Sequence, residues 1–275
     1  MPYLDDPLII FTDLDGSLLD HHDYSWQPAK PWLDRLAAAQ IPLILTTSKT
    51  SAEVAALQSD LQLTHLPFIA ENGALIHLPT DWRGQGPMMG ARYADIRRTL
   101  EELRHRYDFE FRGFGDVTPK QVALWTGLSE ADAALAMLRE ASEPLIWFGN
   151  DLDFAHFKKC LTREGLALTR GGRFWHVMGV DAGKGPAVQW LSAEYQRQRG
   201  KPAISIGLGD GPNDLSMLEV VDHAVVIKGH HHHEMPLSRH HPAQVYRTTE
   251  FGPHGWVQGL DHFISSRQRE MLNEK

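Results

Sequence analysis

The chain has a single cysteine, Cys160, among its 275 residues. No intrachain disulfide can form, and a reducing compartment suits such a chain. No apolar run approaches the ~20 residues that a membrane span requires. The first residues, Met1-Pro2-Tyr3-Leu4-Asp5-Asp6, carry neither the basic region nor the apolar stretch of a signal peptide. These absences predict a soluble, cytoplasmic protein with no membrane partner. Positive charge is also scarce: 27 Lys and Arg stand against 35 Asp and Glu, a net charge of -8. That balance argues against a broad basic surface, and so against nucleic acid as a partner. An anionic ligand has to be met locally, by a few placed cations or by a metal. No internal repeat is present, and low complexity is confined to His230-His231-His232-His233. That run follows the apolar stretch Ala224 to Ile227, so it reads as an exposed loop rather than a metal tract.

Hydrophobic residues make up 42% of the chain and charged residues 23%, as in ordinary globular domains. Leu8-Ile9-Ile10-Phe11 is a continuous apolar run that predicts a buried strand ending at Thr12-Asp13. Pro31 to Gln40 follows with helical spacing of Trp32, Leu33 and Leu36. Ile41 to Thr47 predicts a second strand and Thr50 to Leu61 a second helix. Phe68-Ile69-Ala70 and Leu75-Ile76 predict strands on either side of Asn72-Gly73, a tight-turn signal. The βαβαβ pattern predicts an α/β fold with a doubly wound parallel sheet. It resumes with a helix over Gly185 to Arg197, strands over Ala203 to Leu208 and Ala224 to Ile227, and a helix from Asp214 to Val221 between those strands. The middle reads differently: helices over Tyr93 to Tyr107, Ser129 to Ala141 and Asp153 to Arg163 alternate with short strands at 109–111, 145–148, 166–169 and 174–178. The expected organisation is a core of residues 1–84 and 180–275 interrupted by an α+β insertion at 85–179.

Four short motifs carry chemistry. Asp13-Leu14-Asp15-Gly16-Ser17 directly follows the first strand, where open α/β sheets gather functional groups, and alternation places Asp13 and Asp15 on one side. Gly207-Leu208-Gly209-Asp210-Gly211-Pro212-Asn213-Asp214 follows another apolar strand. Either could be an ordinary acidic turn or helix cap; two of them at strand ends in one parallel sheet are harder to explain that way. Together they bring up to four carboxylates into a small volume, and like charges that close need a cation. Mg²⁺ suits the case, a hard ion held by carboxylates, waters and phosphate oxygens. Thr46-Thr47-Ser48-Lys49 ends the second strand with hydroxyls and amides suited to a phosphate. Gly183-Lys184-Gly185 opens a helix, adding a full charge to an end already favourable to anions.

These elements, in this order, resemble the haloacid dehalogenase-like (HAD) superfamily of phosphatases. The insertion and Glu71-Asn72-Gly73-Ala74 resemble its Cof-type branch with the larger α+β cap. Ser17 stands where Thr is more usual. A further similarity, to the mannosyl-3-phosphoglycerate phosphatases, is carried by Ser48-Lys49-Thr50-Ser51-Ala52-Glu53, Trp125-Thr126-Gly127-Leu128-Ser129, Arg173-Phe174-Trp175-His176-Val177, and the stretch from Tyr24 to Leu33. The resemblance implies an enzyme that releases phosphate from a phosphorylated sugar-glycerate through a phospho-enzyme. It implies Asp13 as nucleophile, Asp15 as general acid/base, and Thr47 and Lys184 as holders of the phosphoryl group. Asp13, Asp15 through its backbone carbonyl, and Asp210 become Mg²⁺ ligands, with Asp214 and Asn213 in the first or second ligand shell. Arg173 and His176 become candidates for the substrate's carboxylate or sugar hydroxyls, with Lys49, Glu71 and Asn72 at the same mouth. Arg173 has an equally simple reading as a surface residue, with Phe174 and Trp175 as core. Other sugar phosphates, a glucosyl analogue of the substrate, a phosphomutase of the same fold, and a catalytically silent sugar-phosphate-binding module are the competing expectations.

Overall fold

The computed structural model describes residues 1–82, 84–229 and 235–265. The histidine run, and the expectation of a loop there, lie outside the described residues. In chain order the strands are β1 (Leu8–Thr12), β2 (Leu43–Leu45), β3 (Phe68–Ala70), β4 (Leu75–His77), β5 (Phe111–Gly113), β6 (Ser142–Trp147), β7 (Leu166–Arg170), β8 (Trp175–Gly179), β9 (Ile204–Gly209), β10 (His223–Lys228) and β11 (Val245–Phe251). The helices are α1 (Lys30–Ala38), α2 (Ser51–Asp60), α3 (Tyr93–Tyr107), α4 (Pro119–Thr126), α5 (Glu130–Ala136), α6 (Asp151–Arg163), α7 (Lys184–Arg199), α8 (Leu215–Val220) and α9 (Gly252–Phe263).

The chain divides into two compact units, one made of Met1–Thr47 and the chain from Val188 onward, the other of Ser48–Ala187. Residues 48–84 and 180–187, assigned to the core by sequence, group with the second unit. The first unit holds a five-stranded, wholly parallel sheet in the order β11-β10-β9-β1-β2. Every residue of β1 is buried, which is why Leu8 to Phe11 reads as an unbroken apolar run rather than an alternating one. Pro31 lies in the first turn of α1, and Trp32 and Leu36 make its inner face. The α1 and α9 helices are tied by Trp32 Nε1 donating to Asp261 Oδ1 at 2.9 Å. Trp256 of α9 is fully buried and donates through Nε1 to Thr12 Oγ1, again at 2.9 Å, anchoring the end of β1. A parallel α/β sheet is as expected. The third expected strand is different: β3 pairs antiparallel with β4 in a separate two-stranded sheet.

The second unit is built on an antiparallel sheet in the order β5-β6-β8-β7. Alternation sorts its side chains. Phe111, Leu145, Leu166 and Val177 pack with Ile96, Leu100 and Leu103 of α3 and with Phe157, Cys160 and Leu161 of α6. Cys160 is thus core packing, as its helical position suggested. Ser142, His176 and Met178 fall at the alternate positions, and Met178 joins Ala74 and Ala141 in a small cluster of its own. The α4 and α5 helices share a third cluster around Phe114, Val122, Ala133 and Ala136. The helix expected over Ser129 to Ala141 is the shorter α5, because residues 140–142 turn to meet the Glu71 carboxylate. The α4 helix, absent from the sequence expectations, carries Thr118 as its cap and Pro119 as its first residue.

Candidate active site

In the first unit, β1 lies between β9 and β2, all three running the same way. Their carboxyl ends therefore share one edge, and the motifs that follow them meet there. The ladder continues past Thr12: the Asp13 amide donates to the Leu208 carbonyl at 2.9 Å and the Thr46 amide to the Thr12 carbonyl at 2.8 Å. The loop after β1 then closes on itself. Gly16 N–H donates to Leu19 O at 2.9 Å and Ser17 N–H to Leu14 O at 3.0 Å. Gly16 has φ +83°, and a Cβ there would stand 2.6 Å from Asp210 Oδ2. Glycine is needed on both counts, because the left-handed backbone disfavours a side chain and the two acidic loops leave no room for one. Asp13, Asp210 and Asp214 each bring one carboxylate oxygen within 4.8 Å of the others'. Asp13 and Asp214 are buried. Asp214 Oδ2 accepts the amides of Asp210 (3.1 Å) and Gly211 (3.0 Å), so the aspartate that ends the loop also shapes it. Thr47, 1% exposed, follows directly from Thr46.

The remaining candidates belong to the second unit. Lys49 Nζ lies 3.9 Å from Glu53 Oε1, and the Lys49 carbonyl accepts the Glu71 amide at 2.9 Å. Thr50 caps α2 in a reciprocal pair with Glu53, giving Ser48 to Glu53 a structural reason for its composition. The Glu71–Gly73 turn has Glu71 at φ 49° and Asn72 at φ 56°. Gly73, at φ +92°, would put a Cβ 2.1 Å from the Gly183 carbonyl. The turn therefore lies flat against the residue before Lys184, which is itself buried. Glu71 is fully buried, and its two oxygens accept Glu140 N (2.8 Å), Ala141 N (3.1 Å) and Ser142 Oγ (2.6 Å). Its carboxylate is thus committed to holding residues 140–142. Arg173 donates Nη1 to the Thr126 carbonyl, linking the β7–β8 connection to the end of α4. His176 is 5% exposed, with a pKa pushed down to about 3 by burial and then by the charges of Arg139 and Lys184.

Residues 10–112 match the family model described as haloacid dehalogenase-like hydrolase, and residues 157–264 match that of sucrose-6F-phosphate phosphohydrolase. A haloacid dehalogenase-like hydrolase from B. subtilis is 18% identical over 80% of this chain and 88% of its own, with a TM-score of 0.58. The fold is the one these haloacid dehalogenase-like structures share. A HAD-superfamily phosphatase from Bacteroides thetaiotaomicron is 19% identical over 81% of this chain and 84% of its own, TM-score 0.57. A sugar phosphatase of HAD subclass IIB is 16% identical over 80% and 87%, TM-score 0.57.

Three carboxylates at that spacing, with no nitrogen or sulfur donor among them, fit a hard divalent cation. The crowding supports the same conclusion, since uncompensated charges that close oppose one another. The sequence expectations did not include Arg139. Its Nε donates to Ala136 O and its Nη1 to Ser48 O, both at 2.8 Å. The expected helix ran on to Ala141, whereas α5 ends at Ala136 and Arg139 follows it. Also missed was Glu143, fully buried on β6, which accepts Tyr93 Oη, Arg97 Nη1 and the Gly115 amide. One acidic letter in an apolar strand gives no sign of such partners.

Proposed function

We propose that the protein is a Mg²⁺-dependent phosphatase of sugar-linked phosphoglycerates, releasing mannosylglycerate and phosphate from mannosyl-3-phosphoglycerate. The gathering of Asp13, Asp210 and Asp214 at the carboxyl edge of the sheet is the observation that carries this reading. Asp13 attacks the phosphorus, the ester oxygen leaves, and an aspartyl-phosphate forms that water then clears; splitting the displacement this way makes two easier steps. Asp15 gives a proton to the leaving oxygen and later takes one from the attacking water. Thr47 and Lys184 orient the phosphoryl oxygens, which carry most of the charge in such transfers. Asp13, the Asp15 carbonyl, Asp210 and Asp214 hold Mg²⁺, which when bound offsets the negative charge of carboxylates and phosphate. Residues 85–179 act as a specificity cap, with Lys49, Asn72, Arg173 and His176 toward the sugar and glycerate, and Glu71 fixing the 140–142 turn. The single cysteine favours the cytoplasm as the place of action.

The match of residues 157–264 to the sucrose-6F-phosphate phosphohydrolase model favours a second reading, a phosphatase for sugar phosphates without a carboxylate. A phosphate-release screen decides between them. Mannosyl- and glucosyl-3-phosphoglycerate, sucrose 6F-phosphate, hexose phosphates and phosphoglycolate are each tested with and without Mg²⁺. The first reading expects the glycosyl-phosphoglycerates to lead by kcat/KM; a lead by sucrose 6F-phosphate would replace it with the second.

A further inference from the structure

We infer that Arg139 reads the carboxylate of the substrate's glycerate arm and that His176 reads an oxygen beside it. This inference rests on the phosphatase reading above and names the residues behind its preference for an acid-bearing ester. Arg139 follows α5 and is held before any ligand arrives. Its Nε and Nη1 donate to the carbonyls of Ala136 and Ser48, and its guanidinium stands 5.8 Å from the centre of the Phe114 ring. A long side chain already fixed loses little freedom on binding. Its acceptors are uncharged. Among the described residues no carboxylate pairs with it, and Glu71 connects to it through Ser142 Oγ, 3.5 Å from Arg139 Nη1 and 2.6 Å from Glu71 Oε2. A planar guanidinium with its charge unanswered is suited to a carboxylate.

His176 supplies the second, independent observation. Its Nδ1 is buried and has no hydrogen-bond partner among the described residues, a state that costs stability unless a ligand completes it. On β8 it sits opposite Pro144 of β6 and Thr169 of β7, at alternate positions to the residues packed on α3 and α6. Burial and the neighbouring charges of Arg139 and Lys184 keep the ring neutral. One ring nitrogen then donates and the other accepts, as a hydroxyl or ester oxygen requires. A neutral imidazole under the influence of two cations matches a short diacid, a phosphate ester and a carboxylate on one three-carbon unit. A neutral sugar phosphate offers only one of those anions.

The test uses a matched pair of esters: glucosyl-3-phosphoglycerate and its analogue with the glycerate carboxylate reduced to an alcohol, with p-nitrophenyl phosphate as a general substrate. For Arg139→Ala the ratio of kcat/KM, acid over alcohol, should fall by about 100-fold, mainly through KM, as expected for a lost charge-assisted hydrogen bond. Arg139→Lys, which keeps charge but not the fork, should lose part of that ratio, and it carries the same test should Arg139→Ala be insoluble. Equal losses on the two esters, or a wild type that uses them equally, would overturn the assignment. Failure of the wild type to release phosphate from any ester with Mg²⁺ would instead remove the phosphatase reading, and this inference with it.

Discussion

Asp13 and Asp214 are carboxylates that the fold takes out of water, yet they serve different ends. Asp214 spends one oxygen on the amides of its own loop, so its substitution should disturb geometry as well as charge. Asp13 follows the wholly buried strand β1 and is the proposed nucleophile. Asp13→Asn should keep the fold, as judged by its melting curve, and lose about 10⁴-fold or more in turnover, in line with the removal of other catalytic nucleophiles. Asp15→Asn should cost about 10²–10⁴-fold, the usual share of acid–base help. Phosphate trapped on a residue other than Asp13 would contradict the first assignment, and wild-type turnover in Asp15→Asn the second. Gly16 offers a test of the meeting between the two loops. Gly16→Ala should displace Asp210 and weaken the response to Mg²⁺, read by titrating activity against the metal, because its Cβ falls where the Asp210 carboxylate now stands.

Among elements, the Glu71–Gly73 turn is held by buried hydrogen bonds, and the α3–β6 contact adds the Arg97–Glu143 ion pair to its apolar packing. Glu71→Gln removes a charged acceptor from three donors and should lower stability by about 2 kcal/mol, measured by denaturant unfolding. The α3–β6 contact has its own pH signature. Burial alone raises the Asp116 pKa, but hydrogen bonds from Arg104, Arg97 and the Gly113 amide outweigh it and bring the pKa to about 2. Burial pushes the Glu143 carboxyl up, the opposite direction. A depressed carboxylate stabilises the fold above its unfolded pKa of 3.8 and loses that contribution as pH falls toward 2. The stability gap between wild type and Asp116→Asn should therefore be widest near pH 6 and shrink through pH 4 to 2. His176 adds to the acid sensitivity. Its depressed pKa means the folded state binds its proton later than the unfolded chain, so stability falls as pH drops from about 6.5 toward 3.

At the scale of the molecule, metal binding and folding stability should be linked. Mg²⁺ at about 100 times its dissociation constant should stabilise the native state by about 2.7 kcal/mol if the unfolded chain binds none. Thermal unfolding with and without a chelator measures this, and Asp210→Asn should abolish the shift. Among the described residues no helix is long and apolar enough to cross a membrane. The sequence expectations were strongest where local composition and local structure coincide. The β1 run, the α6 and α7 helices and the β7–β8 pair all emerged within about two residues, because burial on both strand faces or along one helix stripe leaves a direct periodic trace. The α4 helix was legible too, in Thr118-Pro119 and Gly127, but Gly127 entered only as part of a motif and Thr118-Pro119 not at all.

Apolar runs ending in Asp13 and Asp210, glycines within the loops, and a lysine opening α7 are local facts, and the chain's sequence alone determined them. They were enough to expect a parallel sheet with acidic loops at its carboxyl edge, because strand direction and loop chemistry are written in adjacent residues. Tertiary structure decided the rest. It removed β3 from the parallel sheet, ended α5 at Ala136, committed Glu71 to three donors some 70 residues away and set Arg139 against Ser48. Each of those outcomes depends on contacts between distant segments, whose energies no short stretch of sequence carries.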